Sequence, residues 1–371
     1  MEQVTLKIIL ILSLLMGSGT KYPAGAQILG DSLALARLKK GMDHIYNCRF
    51  TQAGEVYEML KREWPEHPVT SLYGGMLVYW EHFPLTPSSP AVGSFRNHML
   101  SCMARCEKRR LLPGEAEVLL ADIGARGMLL TYYSDNGLTS EVIPMASKTY
   151  QDVARAFDYT QTFADFLFVT GLYNYYREAY PDAHPFYKPF ALLFPRGDRR
   201  KGMAQLENAA RNSIFLKAEA TTFLCWINIG YEKNYEAAAH FSRQLLLSYP
   251  GNNEYRAMHV RNLLLLKRYD EAEEMLEKSS TPESLWFRME KTVFRALLKE
   301  KKHRQSEEAE GLYLSAIEQC RPFGAFANEY LSYACFGMAR MKALRGDKSQ
   351  SQSYRKKALD LAPYKHVDFS D

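Results

Sequence analysis

The apolar residues of this chain are spaced as in amphipathic helices, and the pattern predicts an almost purely helical fold with no sheet of three or more strands. Within that pattern one arrangement recurs. Phe50-Thr51-Gln52-Ala53 leads after twelve residues to Pro65, and Tyr235-Glu236-Ala237-Ala238 leads after twelve to Pro250. Tyr269-Asp270-Glu271-Ala272 begins 34 residues after Tyr235. A small residue in such a position lets two helices cross closely, where a larger side chain would push them apart. The proline stops the helix, because it cannot continue one from an interior position. Gly41 lies twelve residues before Ala53, and Gly75 follows Gly41 by 34. Near the C-terminus Tyr354, Ala358 and Pro363 repeat the closing pattern, and Ala309, Tyr313 and Ala316 repeat it with Pro322 one residue late.

An aromatic, a small residue three positions on, a terminating proline and a period of 34 together resemble the tetratricopeptide-repeat (TPR) superfamily. The resemblance covers about residues 34–83 and 201–363. It implies an all-α fold, an α-solenoid of antiparallel helix pairs. The aromatic expected at the third helix position is kept in Tyr57 but replaced by Ser242 and Leu276, so the repeats are degenerate.

The central third departs most. Pro84, Pro87 and Pro90 make a break, after which helical patterns resume at about 94–112, 114–133, 139–158 and 160–179. A glycine-to-tyrosine spacing recurs there, from Gly75 to Tyr79, Gly127 to Tyr132 and Gly171 to Tyr175. The expected organisation is a leader over 1–26, TPR-like repeats over 27–83, a divergent middle over 84–200 and further repeats over 201–371. No long polar linker separates these parts, so 27–371 reads as one continuous solenoid. The stretches PLTPSSPAVGSFRNH, NYYREAYPDAHPFYKPF and LLFPRGDRRKG also resemble a group of exported bacterial TPR-containing proteins, a likeness that carries no assigned chemistry.

The leader has its own signature. Lys7 precedes an apolar run over 8–16, and Ala24-Gly25-Ala26 suits signal peptidase, which predicts Gln27 as the new N-terminus. The run is about half the length that spans a bilayer, so an uncleaved anchor is the weaker alternative. The first cysteine is Cys48, which excludes lipidation at the junction. Export predicts a periplasmic or secreted protein with no stable membrane insertion. The remaining 345 residues carry 45 basic and 41 acidic side chains, too even a balance to imply nucleic acid. Six cysteines permit disulfides, although a chain this long builds a core without them, and a buried thiol also packs as a small hydrophobe.

No metalloprotease, nucleophile-elbow, phosphate-loop or dinucleotide motif is present, and no carboxylate pair stands out, so neither catalysis nor a cofactor is expected. His98, Cys102 and Cys106 fall every fourth residue along one helix face, a spacing that a metal can use; an apolar stripe explains them better. Arg196-Gly197-Asp198 spells an adhesion tripeptide but reads as a solvated loop, and Arg199, Arg200 and Lys201 make that loop basic. Residues 157–194 hold 13 Phe or Tyr. Tyr173, Tyr176, Arg177, His184, Tyr187 and Lys188 within it are the candidate binding residues, because a proline-stiffened aromatic insertion loses little entropy on binding. Core packing accounts for the same aromatics. Two functions follow. One is a non-catalytic scaffold or adaptor that holds a protein or peptide in the cell envelope. The other is a periplasmic small-molecule-binding component with an aromatic pocket, serving a transporter or sensor.

Overall fold

The computed structural model describes residues 28, 30–109, 115–278 and 283–370, and among them every regular element is helical. The expected cleavage after Ala26 lies outside the described residues. No described helix is long and apolar enough to cross a membrane. The first helices are α1 (Ser32–Tyr46), α2 (Phe50–Glu63), α3 (Pro68–Glu81) and α4 (Val92–Arg109). The centre supplies α5 (Glu115–Asp135), α6 (Thr139–Ala156), α7 (Asp165–Ala183), the single turn α8 (Lys188–Ala191) and α9 (Arg199–Asn212). Then come α10 (Lys217–Gly230), α11 (Tyr235–Ser248), α12 (Asn253–Leu265) and α13 (Tyr269–Glu277). The last four are α14 (Leu285–Lys301), α15 (Ser306–Cys320), α16 (Asn328–Leu344) and α17 (Lys348–Leu361). Successive helices pack against one another across short connections, which makes them antiparallel neighbours.

Local chemistry sets the helix ends. Asp31, Asp198, Asn234, Asn252, Ser284 and Asp347 each place a side-chain oxygen on backbone N–H groups of the turn that follows. Asp198 of the Arg-Gly-Asp tripeptide is therefore the N-cap of α9, accepting the Lys201 N–H at 2.9 Å. Pro65, Pro250 and Pro363 follow the ends of α2, α11 and α17. The helices α1, α5, α12 and α16 end in one geometry, with a left-handed residue after the cap: Cys48, Gly137, Lys267 and Gly346, at φ 56°, 69°, 58° and 77°. At Lys267 the two closing bonds run from its N–H to Leu264 O (3.1 Å) and from Arg268 N–H to Leu263 O (2.9 Å). In the centre, α7 continues through Pro181 to Ala183, past the expected break, with Pro181 buried. A proline in the last turn gives up a single helix bond, which packing offsets.

The small residues of the recurring pattern sit where helices meet. Ala53, Ala238, Ala272 and Ala358 have no exposed surface. A Cβ on Gly41 would lie 2.5 Å from the Tyr73 hydroxyl, which itself donates to Ala53 O at 3.0 Å. The tightest crossing joins α7 and α9: a Cβ on Gly202 would lie 2.5 Å from the Tyr175 nitrogen and 2.8 Å from Gly171 O. Asp165 at the start of α7 accepts the N–H groups of Ile214, Phe215 and Leu216 at 2.8–2.9 Å and so anchors the entry to α10. All six cysteines are free thiols.

The main hydrophobic core contains residues of α1–α3 together with residues of α10–α16, so the helical array curves back on itself. Tyr46 packs against Tyr249 (5.2 Å between ring centres), Trp80 against Tyr255 (5.9 Å), and Phe83 against Phe326 (5.5 Å). The Asn252 amide donates to Tyr46 O at 3.0 Å, and the Tyr46 hydroxyl donates to Glu219. The inner side of that curve, where α5, α12 and α16 face one another, is its concave interior.

Candidate functional site

The candidate residues in the aromatic insertion are divided between two faces of α7. The Tyr173 hydroxyl donates to Pro195 O at 2.7 Å, and Arg177 donates to Phe194 O at 3.1 Å. Glu178 accepts the Gly197 N–H at 2.9 Å, so three side chains of α7 hold the 194–197 loop. Tyr176 instead meets Tyr175 and Tyr231 edge-on, each at 5.4 Å, and burial raises its hydroxyl pKa. His184 lies against Tyr180 (4.4 Å), and exposed Lys188 is 3.8 Å from Asp182. The Tyr187 side chain lies outside the described residues. The structure does not bring Tyr173, Tyr176, Arg177, His184 and Lys188 together in one pocket.

His98, Cys102 and Cys106 also diverge. His98 packs edge-on to Tyr57 at 5.6 Å, on the α2 side. The buried thiols of Cys102 and Cys106 face α5, donating to Ala121 O (3.5 Å) and Val118 O (3.4 Å). Among the described residues no three His, Cys, Asp or Glu converge as a metal requires.

A groove of about 600 Å³ runs between α13, α14 and α15. Its charges pair with one another: His303 with Glu273 (2.7 Å), Arg295 with Glu277 (2.8 Å) and Lys299 with Glu308 (2.8 Å). Such a surface satisfies itself and leaves little net field for a ligand.

The concave interior differs in kind. Asp135 at the end of α5, Glu254 on α12, Glu290 on α14 and Glu329 on α16 face a common region there, and neighbouring carboxylates among them make Asp135, Glu254 and Glu290 costlier to ionise. Arg261 is the cation among them, donating to Glu329 at 2.6 Å. Tyr333 donates to the same Glu329 oxygen at 2.5 Å, and Trp286 donates to Glu254 at 3.1 Å. Asp135, Glu254 and Glu329 lie deep between the helices yet keep part of their surface open, as walls of a concavity do. Glu290 has no exposed surface, and neither of its carboxylate oxygens has a hydrogen-bond partner. Tyr330 and Trp286 lie close enough to favour its charged form, but without good hydrogen-bond geometry.

The electrostatics follow from this surplus of acids. Burial lifts the Glu254 carboxyl to about 7, against the lowering pull of the Trp286 N–H and Arg261. Burial, then Glu254 and Glu329, lifts Asp135 to about 7. Burial, then Glu254, lifts Glu290 well above the usual carboxylate range. Burial disfavours the Arg261 charge, but Glu329 and the tyrosines Tyr333 and Tyr330 more than restore it. On the neighbouring wall, burial holds Glu219 up to about 7 against the hydrogen bond from Tyr46. Rings close the site: Trp286 meets Phe326 at 5.2 Å and Tyr330 at 5.4 Å, both edge-on.

None of these acids stands out in the sequence. One signal was available. Every residue of α12 from Tyr255 to Leu264 is buried, including Arg256, His259, Arg261 and Asn262. A helix with polar residues on every side, set among amphipathic neighbours, marks a polar interior. The sequence matches no protein-family model, and comparison with curated proteins finds no match.

Proposed function

We propose that this chain is an exported TPR-type solenoid without catalytic activity, a scaffold or adaptor that holds a protein or peptide partner of the cell envelope in its concave interior. The observation that carries the reading is the set of partly open polar groups deep in that interior: Asp135, Glu254 and Glu329, backed by the unpartnered Glu290. A hydrophobic core tolerates buried charge poorly unless it is paired, so a surplus of acids on a concave wall suits a surface that receives something. The 34-residue period and the alanines at the helix crossings support the TPR-type reading. Residues 173–201 form a second contact region on the outside of α7, where Phe186, Leu192 and Leu193 are each more than three-quarters exposed. The enclosure of Glu290 favours one further reading, a small-molecule-binding component.

The test is affinity capture from envelope extract with the full chain, run beside Glu254→Gln/Glu329→Gln and beside Tyr176→Ala, Arg177→Ala and Tyr187→Ala. Capture lost only in the interior variant, with its melting temperature retained, supports the adaptor seated in the interior. Capture unchanged by the interior variant and lost with Arg177→Ala or Tyr187→Ala moves the site to the outer segment.

A further inference from the structure

The deep acids carry more information than the presence of a site. Four carboxylates face one another from four helices, and among the described residues Arg261 is the one cation in direct contact with them, its Nη1 bonded to Glu329. Beside the acids the walls are aromatic, with Trp286 meeting Phe326 and Tyr330 edge-on. Glu290 is the independent observation. It is wholly buried, lies beside Glu254, and both of its oxygens lack a donor. An orphaned buried acceptor costs free energy that a bound donor would recover.

We propose that the interior between α5, α12, α14 and α16 binds an organic cation bearing N–H donors, a primary ammonium group, with Glu290 and Glu254 accepting its hydrogen bonds and the aromatic rings lining its stem. This rests on the interior being the place where the chain receives its ligand. Charge selects the sign: four acids against one guanidinium favour a cation. The unpartnered oxygens select the donor: they need N–H groups, which a quaternary ammonium lacks. The rings select the stem, since a cation is held over aromatic faces and its carbon chain packs on them. A divalent metal is a poorer match, because the acidic groups do not converge as a coordination shell. A free amine and a lysine side chain of a peptide both carry such an ammonium, and the chemistry of recognition is the same.

The pH dependence has a definite sign. Asp135 and Glu254 shed protons near 7, and Glu290 does so above the usual range, while Arg261 stays charged and the hydroxyls of Tyr330, Tyr333 and Tyr364 and the thiol of Cys225 are held neutral by burial. Ammonium binding therefore tightens from pH 6 to pH 8, and at pH 6 it displaces protons into solution.

The experiment is calorimetric titration of the full chain with phenethylamine and with acetyl-Gly-Lys-Gly-amide. The neutral isostere 2-phenylethanol and tetramethylammonium serve as controls. Phenethylamine or the lysine peptide should bind, and the one that binds tighter identifies the source of the ammonium. Both controls should bind at least about tenfold more weakly than that ligand. Glu290→Gln should melt at or above the wild-type temperature and lose affinity by about thirtyfold, the loss usual when one side of a buried charge pair is removed. Glu254→Gln gives a second variant at the same site. Equal binding of amine and alcohol, or wild-type amine affinity in both variants, would overturn the proposal. Partner capture that depends on the interior, with no amine binding, would retain the adaptor and remove the ammonium. Amine binding with partner capture indifferent to the interior would do the reverse.

Discussion

Two glycine-to-alanine substitutions, both inside helices, should shift stability in opposite directions. Gly54 in α2 has nothing within 4 Å of where a Cβ would stand. Alanine there loses less backbone entropy on folding and should stabilise by about 0.5–1 kcal/mol. Gly202 in α9 has the Tyr175 nitrogen at 2.5 Å, Gly171 O at 2.8 Å and the Tyr175 Cα at 3.0 Å from the same Cβ. All three atoms are backbone, so no side chain can rotate away. The two helices must separate by about 1 Å to reach ordinary contact distances. That separation also lengthens the hydrogen bonds of Gln205 with Asn174 (2.7 Å) and Thr170 (3.0 Å), which span the same crossing. Overpacking of this kind costs about 1–3 kcal/mol, and the added hydrogen-bond strain keeps the net effect of Gly202→Ala near that range despite the helix-propensity gain. Urea unfolding followed by far-ultraviolet circular dichroism measures both variants against wild type. A Gly202→Ala midpoint at or above that of Gly54→Ala would refute the close α7–α9 crossing.

Three other outcomes follow from the helix pairs and the interior. Ala238→Trp and Ala272→Trp each place a large ring at a fully buried crossing and should each destabilise by about 1–3 kcal/mol or more; wild-type melting of both would mean that the crossings lie elsewhere. Lys267→Gly relieves a left-handed L-residue on an exposed turn and should stabilise by about 0.5–1 kcal/mol in the same unfolding assay, with a loss of stability counting against the turn geometry. Glu254→Gln removes a group whose folded pKa is raised to about 7. The native wild-type protein holds that proton more tightly than the unfolded chain, so its contribution falls as pH rises from the unfolded value near 4.5 and is fully lost above about 7. The melting-temperature advantage of the variant should accordingly grow between pH 5 and pH 8, and a constant difference would contradict the raised pKa.

The helical class was legible because its signals are local and periodic. A small residue between helices, a terminating proline and a capping Asp or Asn act within one turn of where they stand, as at Ala238, Pro250 and Asn252. The turns after α1 and α12 were less visible, since Cys48 and Lys267 occupy a conformation that glycine usually marks. Gly202 gave no sign of its role, because the backbone it meets at Gly171 and Tyr175 belongs to another helix. The interior acids were hidden for the same reason on a larger scale. Asp135 and Glu329 stand almost two hundred residues apart, and each reads singly as a solvated helix charge. Only the return of the helical array on itself makes them neighbours. The aromatic insertion, prominent in sequence, proves to be divided between a loop anchored by Tyr173 and Arg177 and a buried ring cluster around Tyr176.

The surplus of carboxylates in the interior is most directly measured by carboxyl-carbon NMR of the full chain labelled at glutamate, titrated through pH 4–9. Resonances assigned by their loss in Glu254→Gln and Glu290→Gln should titrate at about 7 for Glu254 and well above the usual carboxylate range for Glu290, and saturating phenethylamine should move both midpoints downward as the cation stabilises their charged forms. Ordinary glutamate midpoints for both residues, unmoved by the amine, would contradict the account.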